Sequence, residues 1–192
     1  VDAALGIAAD ANEAGIPTIP GFFGLEAAQK ITQESGKASI VCANRVLANI
    51  DEMTDVALGI KELLAPDGVF YFETGYSVDI FEKKLLDTIY HEHFSYLSLA
   101  AVEAVFSSVG LVVFDIERLT THGGSLRVFA QHEGTGGFSS AQRVGAVRSL
   151  EAEVGVASAE YFSGFQDRAD LIRNEFLAFL LTARDEGRSV AA

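Results

Sequence analysis

Side chains able to move a proton are concentrated in one stretch, Asp87-Thr88-Ile89-Tyr90-His91-Glu92-His93-Phe94-Ser95-Tyr96. It holds two of the four histidines of the chain, with a glutamate and two tyrosines. A histidine near its ordinary pKa of about 6.5 suits removal of a carbon-bound proton that a carbonyl has made acidic. A carboxylate such as Glu92 can orient the imidazole and stabilise its charged form. A phenol such as Tyr90 can donate to an oxygen on which negative charge develops. In a helical turn Tyr90 and His93 share a face, whereas in a strand His91 and His93 share one. The residue types also admit a metal centre in which His91-x-His93 joins His122 or His132. The spacing is not the His-Glu-x-x-His zinc motif, because His93-Phe94-Ser95 follows Glu92. A buried polar turn with satisfied hydrogen bonds is the plain structural alternative.

A second group is Thr121-His122-Gly123-Gly124-Ser125-Leu126-Arg127. Paired glycines supply positive φ between two strands, so a turn accounts for them. Glycine amides, Ser125 and Arg127 also make a donor set for an anionic or sugar-like ligand. A third group is Asp2 and Asn44. Ligands of open α/β sheets bind beyond the carboxyl ends of the strands, where Asn44 falls, and Asp2 too if a strand ends at Val1. An acidic residue there takes ribose hydroxyls, although the glycine-rich turn that ordinarily precedes it is absent from this sequence.

The elements that carry these groups follow from periodicity. Asp2 to Ala14 reads as a helix closed by Gly15, with an extended piece over 16–20 and a loop at Gly21-Phe22-Phe23-Gly24. Leu25, Ala28 and Ile31 recur at helical spacing until Gly36. Residues 39–43 form an apolar strand with polar Asn44-Arg45 at its carboxyl end. Asp51 is expected to cap a helix faced by Met53, Val56, Ile60 and Leu63. Pro66-Asp67-Gly68 turns into a strand over 69–73. Ser98 should cap the helix that buries Val102, Val105, Phe106 and Val109 and stops at Gly110. Leu111–Leu119 and Ser125–His132 then read as a hairpin. The expectation is an α/β domain whose parallel strands finish in an antiparallel hairpin.

Gly134-Thr135-Gly136-Gly137 marks a boundary. Beyond it, Val147, Leu150 and Val154 mark one helix, and Phe162, Phe165, Ala169, Ile172, Phe176, Phe179 and Ala183 form an apolar seam. An αα-hairpin, packed on itself or on a neighbour, is expected over 138–187. Arg188–Ala192 reads as the start of a strand.

With 192 residues, 49% of them hydrophobic, the chain is long enough for one domain with a core and an appendage. A net charge of −13 without a compensating basic run excludes a generic nucleic-acid or anionic-membrane binder. An anionic substrate would need a local cluster of donors. Cys42, the single cysteine, excludes an internal disulfide framework and a cysteine-rich zinc site, and a reducing cytoplasm is the expected compartment. No apolar run reaches the length of a membrane span, and no secretory signal opens the chain.

The two segments Asp87–Tyr96 and Thr121–Arg127 resemble the S-adenosylmethionine-dependent sugar C-methyltransferases, which act on nucleotide-linked 4-keto deoxysugars. The resemblance implies a class I methyltransferase (Rossmann-like) sheet over 1–134 and S-adenosylmethionine as cofactor, with no metal in this part of the chain. Asp2 is then the ribose ligand, Phe22 and Phe23 lie near the adenine, and Asn44 lies near the methionine end. His93, assisted by Glu92, is the expected base, and Tyr90 the donor to the enolate. Asn49, Tyr76, His122, Gly123, Gly124, Ser125 and Arg127 are the expected substrate contacts. The chain departs from the family at Asn44-Arg45-Val46-Leu47-Ala48-Asn49, where several members read Asn-Asn-Val and then Ala-His, and at Glu73-Thr74-Gly75-Tyr76. The resemblance further implies a fragment lacking an amino-terminal zinc segment, the first glycine-rich loop and a carboxyl-terminal lobe, to which 188–192 would lead. A monomer or weak dimer is expected. A metal-dependent enzyme using His91, His93 and His122, and a non-catalytic binding module, are the alternatives.

Overall fold

A computed structural model of the protein describes residues 1–135 and 137–191. Gly136, inside the expected boundary, and Ala192, at the end of the expected last strand, lie outside the described residues. The elements in order are α1 (Leu5–Glu13), α2 (Leu25–Ser35), β1 (Ala38–Asn44), α3 (Met53–Leu63), β2 (Leu64–Gly75) and α4 (Ser77–Lys83). They continue with α5 (Leu99–Ser108), β3 (Leu111–Leu119), β4 (Ser125–His132), α6 (Gln142–Val154), α7 (Ala159–Phe162) and α8 (Phe165–Asp185). The four strands make one sheet in the order β1-β2-β4-β3. β1 and β2 are parallel, while β4 runs antiparallel to both β2 and β3. The expected parallel sheet ending in an antiparallel hairpin is present, with the last strand inserted between its two predecessors.

Period-two alternation sorts the side chains between the two faces. On one face Phe70 and Phe72 of β2 stack with centroids 5.5 Å apart and meet Phe106 of α5 at 5.9 and 5.8 Å. Leu126, Val128 and Ala130 of β4 and Leu111, Val113 and Ile116 of β3 join the same core. The residues between them point the other way: Tyr71 meets Phe129 at 6.0 Å, and Glu73 lies opposite Arg127 in register. β2 begins earlier than the turn at Pro66-Asp67-Gly68 suggested, because the ladder accommodates that segment as a register shift between Ala38 and Ile40.

Ser98 caps α5, its hydroxyl accepting from the Ala101 amide at 3.1 Å. Asp51 does not cap α3: Glu52 occupies the N-cap without a side-chain bond, and the Asp51 carbonyl accepts from Met53 N instead. The side chain of Asp55, inside α3, reaches across to Leu25 N at the start of α2. α6 packs against β3 and α5, with Val144 and Val147 in the common core. The seam read on α8 is mostly open. Of its residues Ala183 is buried, Phe165, Ala169 and Ile172 are half-buried, and Phe162, Phe176 and Phe179 are exposed. No strand is formed by residues 188–191. No helix among the described residues is long and apolar enough to cross a membrane.

Glycine at 59 lets α3 touch the chain entering α2: a Cβ there would lie 2.7 Å from the carbonyl carbon of Gly24. Gly59→Ala should therefore lower stability by about 1–3 kcal/mol in urea unfolding, the backbone clash outweighing the gain in helix propensity of about 1 kcal/mol.

Candidate active site

The segment between α4 and α5 is neither helix nor strand through most of its length, so its conformation rests on individual hydrogen bonds. Residues 86–88 form a short 3₁₀ turn, held by Thr88 Oγ1 donating to the Leu85 carbonyl at 2.8 Å. His93 N donates to the Tyr90 carbonyl, folding the Tyr-His-Glu-His run back on itself. Ser95 N donates to Ala48 O beyond β1, and Ser77 N to Leu97 O, which pins the far end beside β2.

Within this frame His93 is fixed through both ring nitrogens. Nδ1 lies 2.9 Å from the Thr88 carbonyl oxygen, and Nε2 lies 2.9 Å from the Tyr90 hydroxyl. A carbonyl can only accept, so Nδ1 carries the proton and donates. In the neutral ring Nε2 then holds the lone pair and accepts from Tyr90. The imidazole is sandwiched between two phenols: Tyr90 overlaps it at 4.2 Å, and Tyr96 meets it edge-on at 5.9 Å. Burial pushes the Tyr96 hydroxyl above the ordinary phenol range, partly opposed by its backbone hydrogen bond. Tyr90, by contrast, is 46% exposed.

Tyr90, His93 and Tyr96 line a cleft of about 520 Å³. Its other walls include Asn49 and Arg45 after β1, Thr74 and Gly75 at the end of β2, and His122, Gly123 and Gly124 of the hairpin turn. The turn is a 3₁₀ piece in which His122 is left-handed, with φ of 49°. It is held down by α4. Lys83 Nζ donates to Gly123 O at 2.6 Å and pairs with Asp79 at 2.9 Å, and Arg118 pairs with the same carboxylate at 3.0 Å. The approach is so close that a Cβ at Gly124 would lie 2.4 Å from Cβ of Asp79.

Four of the substrate contacts expected from the sequence line the same cleft as His93: Asn49, His122, Gly123 and Gly124. The others do not. Tyr76 is fully buried beneath the Arg118 guanidinium, 5.3 Å from the ring centroid. Burial first, then the nearby Glu151 carboxylate, hold its phenol far above the ordinary range, and its hydroxyl has no hydrogen-bond partner among the described residues. Ser125 is buried, donating to Thr121 O and accepting from Arg45. Arg127 is bound between Glu73 at 3.2 Å and Glu117 at 3.1 Å. Glu92 and His91 are exposed and line no wall of the cleft. The orienting partner expected at Glu92 is instead the Thr88 carbonyl.

The expected cofactor residues lie elsewhere. Phe22, 89% exposed, and Phe23 line a separate cleft of about 400 Å³ with Val1, Pro20 and Ile31. Asp2 bridges to Pro20 in parallel fashion, and one of its carboxylate oxygens accepts from Ala4 N. Asn44 is exposed at the end of β1 and lines neither cleft. Among the described residues no three His, Cys, Asp or Glu side chains converge to hold a metal ion, so His91, His93 and His122 do not form the alternative centre. Arg45 and the Asp79–Lys83–Arg118 clamp were not singled out by sequence. Only the polar Asn44-Arg45 pair closing an apolar strand pointed toward the first.

Residues 120–192 match the family described as C-methyltransferase C-terminal domain. Over 191 residues the chain is 34% identical to C-methyltransferase NovU of Streptomyces niveus, a match covering 100% of this chain and 45% of that protein. The chain thus spans about half the length of the curated relative. Among solved structures it is similar to TnmH, at 19% identity and a TM-score of 0.47 over 69% of this chain and 41% of the other. A SAM-dependent methyltransferase from Anabaena variabilis gives 14% identity and a TM-score of 0.45 over 58% of this chain and 56% of that one.

The burial of Tyr76 has a direct test. Tyr76→Phe removes a hydroxyl without a partner, so stability should stay within about 1 kcal/mol of the parent or rise, by thermal and urea unfolding. A substrate contact at this hydroxyl would instead raise KM without altering the unfolding curve.

Proposed function

We propose that this chain is part of a C-methyltransferase and that the cleft beside His93 is where a carbon acid is deprotonated for methylation. The acceptor we favour is the carbon beside the ketone of a nucleotide-linked keto-deoxysugar. The observation that carries the reading is the hydrogen bond from His93 Nδ1 to the Thr88 carbonyl, which leaves the Nε2 lone pair beside the cleft. In the proposed step the substrate C–H bond breaks and its proton passes to Nε2. The electron pair moves onto the ketone oxygen, and the Tyr90 hydroxyl turns from Nε2 to donate to that oxygen. His122, Asn49 and the amides of Gly123 and Gly124 are the groups available to orient the sugar. His93 afterwards releases its extra proton to solvent.

S-adenosylmethionine supplies the methyl group when bound. The residues present fit such a molecule: the exposed ring of Phe22 beside Phe23 suits a flat heteroaromatic base, and Asp2 keeps one carboxylate oxygen for a ribose hydroxyl. In this reading Asn44, at the end of β1, stands nearer the amino-acid end.

In the complete protein, His93→Ala should lower both substrate proton exchange, followed in deuterated water, and methylation by at least about 10²-fold. Exchange at the parental rate would place the base elsewhere. Tyr90→Phe should slow methylation by about 10²-fold with KM little changed, since its hydroxyl meets the substrate oxygen only as charge develops there.

A further inference from the structure

An alternating chain of ion pairs crosses the face of the sheet opposite the aromatic core. Asp115 pairs with Arg143, Arg143 with Glu117, Glu117 with Arg127, Arg127 with Glu73, and Glu73 with Arg45. Arg143 and Arg127 each lie between two carboxylates. Arg45, at the end, touches one, and it is the end that opens on the cleft. Its Nη2 donates to Glu73 Oε1 at 3.0 Å and to Ser125 Oγ at 3.3 Å. Nε and Nη1 have no protein partner among the described residues, and the side chain is 39% exposed.

The backbone at Arg45 is also unusual. Its φ of 57° is left-handed, a conformation costly for a residue with a long side chain, and the Arg45 amide is held there by donating to Glu73 O at 2.8 Å. Two strands and the hairpin turn thus fix one guanidinium at the carboxyl end of the sheet, where ligands of open α/β sheets bind. Of the residues lining the cleft, Arg45 is the one permanent cation, and Asp87 the one carboxylate. In a chain of net charge −13, an anionic ligand finds little other attraction.

We propose that Arg45 is a specificity-determining residue of the cleft, whose unpaired guanidinium donors, Nε and Nη1, take an anionic oxygen group, phosphoryl or carboxylate, of a bound ligand. This deepens the methyl-transfer reading and rests on it for the identity of the ligand. A phosphoryl group would come from the acceptor, and a carboxylate from the amino-acid end of the cofactor. With Nη2 taken by Glu73 and Ser125, Nε and Nη1 each remain to offer an anionic oxygen a charge-assisted hydrogen bond.

Calorimetry on the complete protein at low ionic strength, with inorganic pyrophosphate and S-adenosylhomocysteine as probes, separates the sources. Arg45→Asn removes the guanidinium with a residue that tolerates the left-handed backbone, and an unchanged melting curve shows that the fold survives. Loss of about ten-fold or more in pyrophosphate affinity assigns Arg45 to the acceptor, and the same loss for S-adenosylhomocysteine assigns it to the cofactor. Arg45→Lys should recover only part of the affinity. If neither probe changes by more than two-fold between parent and Arg45→Asn, or neither binds the parent, the proposal is wrong. Full proton exchange in His93→Ala together with a loss at Arg45→Asn would remove the proposed base and leave the anion site standing.

Discussion

The pairing of β4 between β2 and β3 is the constraint from which the site follows. β4 is the last strand in sequence, yet it runs antiparallel alongside β2, so the turn that precedes it returns to the end of β2. That return sets His122, Gly123 and Gly124 across from Asn49 and above Gly75. It also brings Arg127 opposite Glu73, fifty-four positions earlier in the sequence, and thereby builds the row of charges that ends at Arg45. One hydrogen-bonded ladder thus positions a wall of the cleft and its only permanent cation.

A second constraint acts on the opposite wall. The segment carrying Tyr90 and His93 has little regular structure of its own and is tethered at its carboxyl end. The Ser95 amide bonds the chain after β1, and the Leu97 carbonyl accepts from the start of α4. α6 reinforces this from outside. Buried Glu151 accepts from the amides of Leu99 and Ala100 at 2.6 and 2.9 Å, placing a carboxylate on the free amino end of α5 immediately after the segment. α6 is therefore not a separate appendage in this respect, because it secures the element that follows the histidine.

The hairpin was legible in sequence because two alternating runs flank a Gly-Gly pair, and both strands form over the expected residues. Ser98 was legible as a cap because it precedes an apolar helical face. The clustering of Tyr90 and His93 needed no tertiary information, since three positions separate them. What sequence could not supply is lateral order. Tyr76 looked available at a strand end but is covered by Arg118, and Arg127 looked like a ligand donor but is consumed by Glu73 and Glu117. Both outcomes depend on which strands are neighbours. Sequence points to Glu92 as the group that orients His93, whereas the Thr88 carbonyl does so at Nδ1, because a backbone carbonyl has no residue type to betray it. Arg45 was passed over in favour of Asn44 because the left-handed turn that directs it into the cleft leaves no pattern in the residue types.

The proposed chemistry depends on the state of the His93 ring. Nitrogen NMR of the ¹⁵N-labelled imidazole at neutral pH reads the two nitrogens separately. The prediction is a proton on Nδ1, bonded to the Thr88 carbonyl, and an unprotonated Nε2 whose resonance shifts when Tyr90 is replaced by Phe. A proton resident on Nε2, with Nδ1 bare, would contradict it, since the ring would then offer the cleft a donor where the chemistry requires a base.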